Sequence, residues 1–240
     1  MDEISTTGPG LHGRVVLSQR WSDLVFLHWR APSHEIAPLL PAGIVPDEFD
    51  GSTWVGLIPF RMSQTRVGGR LPVPYFGDFT EVHVRLYGVD QTGRRGVVFL
   101  SLEASRLAAV LGARIAFGLP YMWASASASR TNTTVEYRSR RLVPNRPRTV
   151  ISARITTDVV EEDALANFLT ARFWLFESQR GHTIAMPNDH EPWPLVRAEL
   201  VMLHDQLIAA SGISSVGNRP PDSVLFSTGV TTYFGSPERI

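Results

Sequence analysis

The chain has 240 residues, 43% of them hydrophobic and 19% charged, with a formal net charge of zero. This length and balance fit one globular domain, and they argue against a disordered protein and against a nucleic-acid binder that relies on bulk positive charge. All 23 basic residues are arginine and the chain has no cysteine. Lysine imines, thiolate nucleophiles and cysteine-based metal sites are therefore excluded.

We expect a soluble cytoplasmic protein with no membrane partner. No apolar run approaches the roughly 20 residues that a transmembrane helix needs, and the acidic, polar start MDEISTTGPG does not resemble a signal peptide. The sequence contains no repeat, low-complexity block or evident linker, so residues 1–240 are expected to form one domain, with residues 1–12 as a flexible tail.

The first part of the chain is predicted to be rich in strands. Apolar runs predict buried strands over Asp23 to Trp29 and Thr53 to Phe60, with a short helix over Ser33 to Leu40 between them. The stretch from Arg61 to Asp78 is rich in Gly and Pro and predicts a long loop. Strict alternation over Phe79 to Val89 is the clearest strand pattern in the chain.

The rest of the chain mixes strand and helix patterns. The predicted strands are Gly96 to Leu102, Thr133 to Arg141, Thr149 to Thr156 and Val224 to Phe234, with further strands after Trp174. The predicted helices are Ser105 to Phe117, Glu161 to Phe168, and Leu195 to Ala210 with a stripe of Leu200, Leu203 and Leu207. This order predicts an α+β fold, mostly β, with a largely antiparallel curved sheet. Dinucleotide, P-loop, nucleophile-elbow and zinc-protease motifs do not occur in the sequence, so we expect no cofactor and no metal.

Three titratable residues share one face of the strand over Phe79 to Val89. Side chains two apart in a strand point the same way, so Glu81, His83 and Arg85 lie together and the valines between them face away. On one interpretation they line a cavity, where Glu81 is a base, His83 shuttles protons and Arg85 binds a carboxylate or enolate oxygen. On the other they form the wet face of a half-exposed strand. We expect the charge of Arg85 to hold the Glu81 carboxylate ionised.

Further candidates lie outside this strand. His28 interrupts an apolar strand and is either a hydrogen-bonded core residue or part of the site, and Trp54 is a candidate for binding substrate. Arg114 and Tyr121 lie on either side of a Gly-Leu-Pro turn. Arg114 either caps the preceding helix or reaches the same cavity as Glu81.

Two charged clusters carry weaker signals. Asp189, His190 and Glu191 are direct neighbours, and such neighbours rarely point at one centre, so they do not predict a metal site. A second cluster contains Arg138, Arg140 and Arg141. Strand spacing there favours a solvated face over an anion site.

Several segments carry a family resemblance by their order along the chain. They are WSDLVFLHW from Trp21, LLPAGIVPDEFDGSTWVGLIPF from Leu39, FTEVHVRLY from Phe79, GVVFLSLEAS from Gly96, AR-IAFGLPYMWA from Ala113, FLTARFWLF from Phe168 and HEPWPL from His190. Together they resemble the YqjF-like family of uncharacterised bacterial proteins, which is similar to the acetoacetate decarboxylase-like superfamily. The resemblance implies a closed or nearly closed β-barrel with a few flanking helices and an internal cavity for a small molecule. It also implies that the strand carrying Glu81 faces this cavity.

The chain departs from that superfamily at two points. Acetoacetate decarboxylases use a lysine Schiff base from a paired-lysine segment just before a G-Y-P turn, whereas this chain has Ile115-Ala116-Phe117 before Gly118-Leu119-Pro120 and no lysine at all. The resemblance also leads us to expect Asn where His83 stands, in an E-x-N-x-R strand. The imine mechanism is therefore not carried over, and His83 adds a titratable group.

We expect a barrel that binds a small carbonyl or carboxylate compound and, as an enzyme, performs non-covalent acid–base chemistry such as enolisation, dehydration, cyclisation or retro-aldol cleavage. Glu81 is then the base, Arg85 and Arg114 bind oxyanion or carboxylate groups, and His83 or Tyr121 is the second proton donor. The alternative is a ligand-binding or sensing protein on the same barrel, and a structural or interaction module is a weaker third. No nucleic-acid partner is expected, and the oligomeric state is left open, a homo-oligomer included.

Overall fold

The computed structural model describes residues 5–73, 77–106, 118–142, 145–217 and 219–240, and strands dominate it. The strands are β1 (Leu17–Ala31), β2 (Ile44–Pro46), β3 (Thr53–Val67), β4 (Leu71–Pro72), β5 (Phe79–Asp90), β6 (Arg95–Ala104), β7 (Tyr121–Arg130), β8 (Thr134–Arg141), β9 (Arg148–Val159), β10 (Trp174–Gln179), β11 (His182–Asp189), β12 (Leu195–Asp205), β13 (Ser223–Phe234) and β14 (Glu238–Arg239). The helices are α1 (Ser33–Ile36), which runs into a 3-10 turn over Ala37–Leu39, α2 (Ala164–Thr170) and α3 (Leu207–Ala210). None of these helices is long and apolar enough to cross a membrane.

The strands form one curved, mostly antiparallel sheet that closes on itself. Neighbouring strands β13, β1, β3, β5 and β6 make a continuous wall. From β6 the pairing returns to β13 by two routes, one through β7, β8, β9 and β12 and the other through β10 and β11. We call the first route the large ring and the second the small ring. The wall belongs to both rings, which gives it a covered surface on each side.

Both faces of the wall are packed, and alternation along each strand decides which side chain goes where. Val82, Val84 and Leu86 of β5 join a hydrophobic cluster with Val135 and Ile151 from the large ring. On the opposite face, a second cluster contains Trp54 and Tyr87 of the wall together with Leu175 and Met186 of the small ring. A half-exposed strand would show one wet face, whereas β5 is buried on both.

Most predicted strands are confirmed, usually inside longer observed ones. Observed β1, β3, β5, β6, β8, β9 and β13 contain or nearly coincide with the predicted segments, and β10 and β11 follow from Trp174 as expected. The short helix after Ser33 is present as α1 and the 3-10 turn. The strands predicted over Thr133 to Arg141 and Thr149 to Thr156 pair with each other antiparallel, with Arg140 opposite Arg148. The mostly-β fold class is therefore confirmed.

The predicted helix over Leu195 to Ala210 is wrong, because residues up to Asp205 form strand β12. Two irregularities in the pairing of β12 with β9 explain the error, and one of them lies between Leu200 and Met202. A bulge shifts the side-chain phase by one residue. Side chains that face inward have even residue numbers up to Leu200, and after the bulge the next one is Leu203. A spacing of three residues resembles one turn of a helix.

Two other predictions need correction, and one strand was missed. The proposed loop from Arg61 onward is partly strand, because β3 continues to Val67 and pairs with β4. Strand β7, with its alternating Ala and Ser residues, was not predicted. Helix α2 begins at Ala164, after the cap Asp163 accepts a hydrogen bond from the Ala166 N–H at 2.9 Å. Of the predicted helix Ser105 to Phe117, residues 107–117 lie outside the described part of the chain.

Glycine is required where β13 crosses β1. Gly229 pairs with Ser22 and has a φ of 109°, a backbone conformation that L-residues with a side chain rarely adopt. A Cβ atom at this position would lie 1.8 Å from the carbonyl oxygen of Trp21. The close approach of the two strands therefore depends on the missing side chain.

Candidate active site

One face of β5 carries four buried polar side chains in succession: Glu81, His83, Arg85 and Tyr87. Their exposed fractions are 2%, 0%, 5% and 0%, respectively. Strands β3 and β6 flank β5 along this whole segment, so neither edge is open to solvent. The interpretation as a wet strand face is therefore wrong, and the polar groups lie in the interior on the side of the small ring.

Glu81 and His83 form a close pair at one end of this row. His83 Nδ1 lies 3.6 Å from Glu81 Oε1. Among the described residues, neither Glu81 Oε2 nor either ring nitrogen of His83 has a hydrogen-bond partner. Buried polar atoms without partners are rare in folded proteins, and they often mark a position where a ligand or water binds.

Burial sets the protonation of this pair. It raises the pKa of Glu81 to about 8, so the carboxyl group is mostly neutral at neutral pH. Burial, and secondarily the charge of Arg85, lowers the pKa of His83 well below its ordinary value, so the imidazole is neutral as well. The pair is thus a carboxylic acid beside a neutral imidazole. Glu81 has a proton to donate, and His83 has a lone pair that can accept one.

Tyr121 approaches the same carboxyl group from β7. Parallel pairing places Tyr121 opposite Leu102 of β6, and Leu102 is opposite His83 of β5. The hydroxyl group interacts with Glu81 and partly offsets the rise in the pKa of that carboxyl group. Burial and the Glu81 charge raise the pKa of Tyr121 well above its ordinary value, so the phenol stays protonated and acts as a hydrogen-bond donor.

Aromatic rings enclose the imidazole. The ring centroids of Phe99, Phe60 and Trp21 lie 4.8, 5.4 and 6.3 Å from that of His83. These rings come from β6, β3 and β1, which the closed wall brings together. They remove water from the Glu81–His83 pair, which is the physical cause of both shifted pKa values.

Arg85 and Tyr87 form a second polar group farther along the strand. Arg85 Nε donates to Tyr87 Oη at 2.9 Å, and its Nη2 donates to the carbonyl oxygen of Leu169 at 2.8 Å. His28 Nε2 is hydrogen-bonded to the same Tyr87 hydroxyl at 2.6 Å. Gly56 lies between His28 and Arg85 in the strand register, and a Cβ there would approach both side chains to within 3.2 Å.

A third polar group, formed by Arg172, Asp47 and Arg95, lies next to Tyr87 at this end of the row. Arg172 is buried over the rings of Tyr87 and Phe168, and its Nη1 is paired with Asp47. Asp47 also accepts two hydrogen bonds from Arg95, at 2.8 and 2.6 Å. Although burial acts in the opposite direction, the two arginines hold the pKa of Asp47 below its ordinary value.

Arg85 does not hold Glu81 ionised, contrary to the expectation from the sequence. The two residues are four positions apart in a strand, which corresponds to about 13 Å between their Cα atoms. The Arg85 guanidinium also turns toward Tyr87, away from Glu81. No charged partner therefore opposes the effect of burial, and the pKa of Glu81 rises instead of falling.

The remaining candidate residues have separate surroundings. Trp54 is fully buried in the cluster around Tyr87, and its Nε1 has no hydrogen-bond partner among the described residues. His28 belongs to the Arg85–Tyr87 group, and burial lowers its pKa well below the ordinary value. Arg114 lies outside the described residues.

The two charged clusters have structural roles. His190 is packed between Phe173 and Trp193, and its Nδ1 donates to the Glu191 carbonyl oxygen at 2.8 Å. No group of three or more metal-binding side chains occurs in the part of the chain that the structure describes.

The solvated face expected for the arginine cluster is wrong for Arg141. Arg138 is exposed, whereas Arg141 is buried and paired with Glu103. Arg141 Nε lies 3.0 and 3.2 Å from the two Glu103 oxygens, and Ser101 donates to Glu103 at 2.9 Å. This group lies on the other face of the wall, away from Glu81.

Sequence reasoning missed Tyr87, Asp47 and Arg172. Tyr87 continues the alternation that identified Glu81, His83 and Arg85 and was available from the spacing alone. Asp47 and Arg172 are far apart in sequence and meet only through the fold, so no local pattern points to them.

Comparisons of the amino-acid sequence with known proteins found a family model and a relative. Residues 18–231 match DUF2071, described as an uncharacterized conserved protein. The uncharacterized protein YqjF of Bacillus subtilis (strain 168) is 30% identical over 207 residues, which cover 83% of each chain.

Solved structures are similar over almost the whole chain. Acetoacetate decarboxylase from Legionella pneumophila has a TM-score of 0.68 at 14% identity and covers 100% of this chain and 94% of its own. An acetoacetate decarboxylase-like enzyme from Sphingomonas wittichii RW1 has a TM-score of 0.66 at 12% identity, with 94% and 93% covered. The enduracididine biosynthesis enzyme MppR, complexed with pyruvate, has a TM-score of 0.62 at 15% identity, with 97% and 92% covered. These structures confirm the acetoacetate decarboxylase-like fold.

Proposed function

The chain belongs to the DUF2071 family, as the YqjF-like resemblance of its segments predicts, and from the Glu81–His83 pair we propose that it is an enzyme acting on a small carbonyl or carboxylate compound. The reaction class is proton transfer at the carbon beside a carbonyl group, leading to enolisation or to a dehydration, cyclisation or retro-aldol step. No lysine imine takes part, because the chain has no lysine.

The observation that carries the proposal is a buried acid and a buried base with free atoms at one place. Glu81 Oε2 and His83 Nε2 have no partner among the described residues, and both groups are neutral at neutral pH. Acidic and basic groups whose pKa values are strongly shifted by burial are typical of active sites.

The shifted pKa values favour a reversal of the roles expected from the sequence. Glu81 holds its proton at rest and donates it to the carbonyl oxygen, while His83 removes a proton from the neighbouring carbon. The products are an enol, a Glu81 carboxylate and a His83 imidazolium, and the two charges stabilise each other across the 3.6 Å that separates Oε1 from Nδ1. Tyr121 donates a hydrogen bond to the newly formed carboxylate. In the return step the His83 imidazolium gives a proton to carbon and the enol oxygen gives its proton back to the Glu81 carboxylate, which restores both groups.

The solved relatives support a carbonyl substrate. One is named as an acetoacetate decarboxylase, and MppR is described in complex with pyruvate and with the condensation product of pyruvate and imidazole 4-carboxaldehyde. At these low identities the likeness itself extends to the fold, and the chemistry proposed for this chain rests on its own residues.

Hydrogen–deuterium exchange provides the test. Acetoacetate, pyruvate and longer oxo acids are incubated with the protein in D₂O, and loss of the proton signal beside the carbonyl is followed by NMR. Glu81→Gln and His83→Asn are each expected to slow exchange by roughly 10²–10⁴-fold. Glu177→Gln is the matched control, because it removes another carboxyl group with a burial-raised pKa, on β10.

An exchange rate that is unchanged in Glu81→Gln would refute the proposal. Binding of an oxo acid with no exchange at all favours the non-catalytic alternative, a ligand-binding or sensing protein on the same barrel. Isothermal titration calorimetry on the same compounds separates these two outcomes.

A further inference from the structure

The buried row on β5 has an arginine-rich end, at Arg85 and Tyr87, which indicates that the ligand carries a negative charge in addition to its carbonyl group. We propose that this interior binds an extended oxo acid, with its carboxylate held by Arg85 and Arg172 and its carbonyl group, several bonds away, placed between Glu81 and His83. The carboxylate site stands on its own observations, whereas the placement of the carbonyl group rests on the proposed function.

The charges at this end do not balance among the described residues. Arg85, Arg95 and Arg172 converge there, and Asp47 is the carboxylate that pairs with two of them. The hydrogen bonds of Arg85 go to a phenol and a backbone carbonyl, which are neutral groups. An isolated buried charge is costly, so a buried guanidinium without a carboxylate favours the binding of an anion.

The end of α2 supplies only part of the missing negative charge. Its Leu169 carbonyl oxygen accepts from Arg85 and its Phe168 carbonyl oxygen accepts from Arg172. The carbonyl end of a helix corresponds to about half an elementary negative charge, and α2 is short. Capping this helix therefore accounts for one hydrogen bond of each arginine and does not neutralise both.

A free donor remains at the same place. Arg172 is 4% exposed, and its Nη2 has no hydrogen-bond partner among the described residues. The guanidinium groups of Arg85 and Arg172 lie 5.3 and 4.9 Å from the centroid of the Tyr87 ring. Planar guanidinium groups match carboxylate oxygens in geometry, and two of them contact the same buried ring, one with a free donor.

The separation between the two ends sets the length of the ligand. Glu81 is opposite Phe60 and Arg85 is opposite Gly56 in the register of β3, so the four-residue spacing is not shortened by a bulge on that side. This spacing is about 13 Å between Cα atoms, and Arg85 turns its guanidinium farther away, toward Tyr87. In pyruvate the carboxylate and the carbonyl carbon are directly bonded, so pyruvate cannot contact both ends at once.

A chain-length series tests the proposal in the intact protein. Pyruvate, acetoacetate, levulinate and a series of longer homologues of levulinate, extended by methylene groups until the chain spans about 13 Å, are titrated by calorimetry, each beside its methyl ester. We expect the affinity to rise by roughly tenfold or more from pyruvate to the best of the longer acids, and the ester of that acid to lose this gain. The esters need no substitution, so this arm does not depend on how a variant folds.

Two variants localise the effect. Arg85→Gln is expected to weaken binding of the long acids by roughly tenfold or more while leaving their esters unchanged. Arg141→Gln is the matched control, because it removes another buried arginine on the opposite face of the wall. Titrated at a temperature where circular dichroism shows that it is folded, this variant should keep the affinity for the long acids unchanged.

The outcomes separate this inference from the proposed function. If the affinity changes neither with chain length nor on esterification, the inference is wrong. Arg85 and Arg172 then have only the structural role of binding the end of α2. Exchange of pyruvate that depends on Glu81, together with no binding of longer acids, also overturns it but leaves the proposed function standing. Binding of long acids that depends on Arg85 but gives no exchange supports the carboxylate site and refutes the catalytic role of Glu81.

Discussion

The protonation of Glu81 predicts how the stability of the fold depends on pH. Burial raises the pKa of this carboxyl group from its ordinary value of 4.5 to about 8 in the folded protein. The folded state therefore holds a proton that the unfolded chain releases between these two values. The stability linked to this group is fully present below the lower value and is lost as the pH rises through the higher one.

The size of the effect follows from the shift. A difference of roughly 3.5 pKa units corresponds to about 5 kcal/mol, of which about 4 kcal/mol falls between about pH 5 and about pH 9. Glu81→Gln replaces the neutral acid by a neutral amide of similar shape, so the variant should lack this contribution. We expect the free energy of unfolding of the wild type to fall by about 4 kcal/mol more than that of the variant over this pH range.

Urea denaturation at a series of pH values measures this difference. Other titrating groups, Glu177 and the histidines included, are present in both proteins and cancel in the comparison. Parallel stability curves for wild type and Glu81→Gln would show that Glu81 is ionised in the folded protein. The reasoning from burial, and with it the assignment of Glu81 as a resting acid, would then be wrong.

Four further predictions concern the fold and the chemistry. Arg141→Met should destabilise the protein by about 3–5 kcal/mol in urea denaturation, because Glu103 is left buried and unpaired, and a second change of Glu103→Leu should restore most of the loss. Asp163→Ala should cost about 1 kcal/mol by the same assay through loss of the α2 cap, and no change in stability would argue against that cap. Gly229→Ala should lower the thermal midpoint strongly or prevent folding, because its Cβ meets backbone, and a normal melting curve would contradict the close approach. Sodium borohydride with acetoacetate should trap no adduct on an internal peptide by mass spectrometry, since the chain has no lysine; a reduced internal adduct would refute the imine-free mechanism.

The sequence predicts the row of polar side chains on β5 because alternation is a local property. Side chains two residues apart lie on the same face of any strand, so the grouping of Glu81, His83 and Arg85 follows from their spacing. Whether that face is wet or buried depends on the strands on either side and on the small ring. Those partners come from distant parts of the chain, and spacing contains no information about them.

The protonation state of Glu81 could not be predicted from the local sequence for the same reason. The pKa of Glu81 depends on aromatic rings brought by β1, β3 and β6, and the sequence led us to consider only the nearest charge, Arg85. That charge is too far along the strand to matter. The error over β12 is different, because its bulge changes the spacing itself and makes a strand resemble a helix.

The pairing of β1 with β13 has a consequence for synthesis of the protein on the ribosome. It joins Leu17 to Phe234 and continues to His28 and Ser223, so strands near the two ends of the sequence are neighbours in the wall. A nascent chain cannot complete either ring until β13 has left the exit tunnel. Until then β1 presents an unpaired edge and a run of apolar side chains, and such strands are prone to aggregate. Closure of both rings therefore waits for β13, and until then β1 is a segment exposed to aggregation.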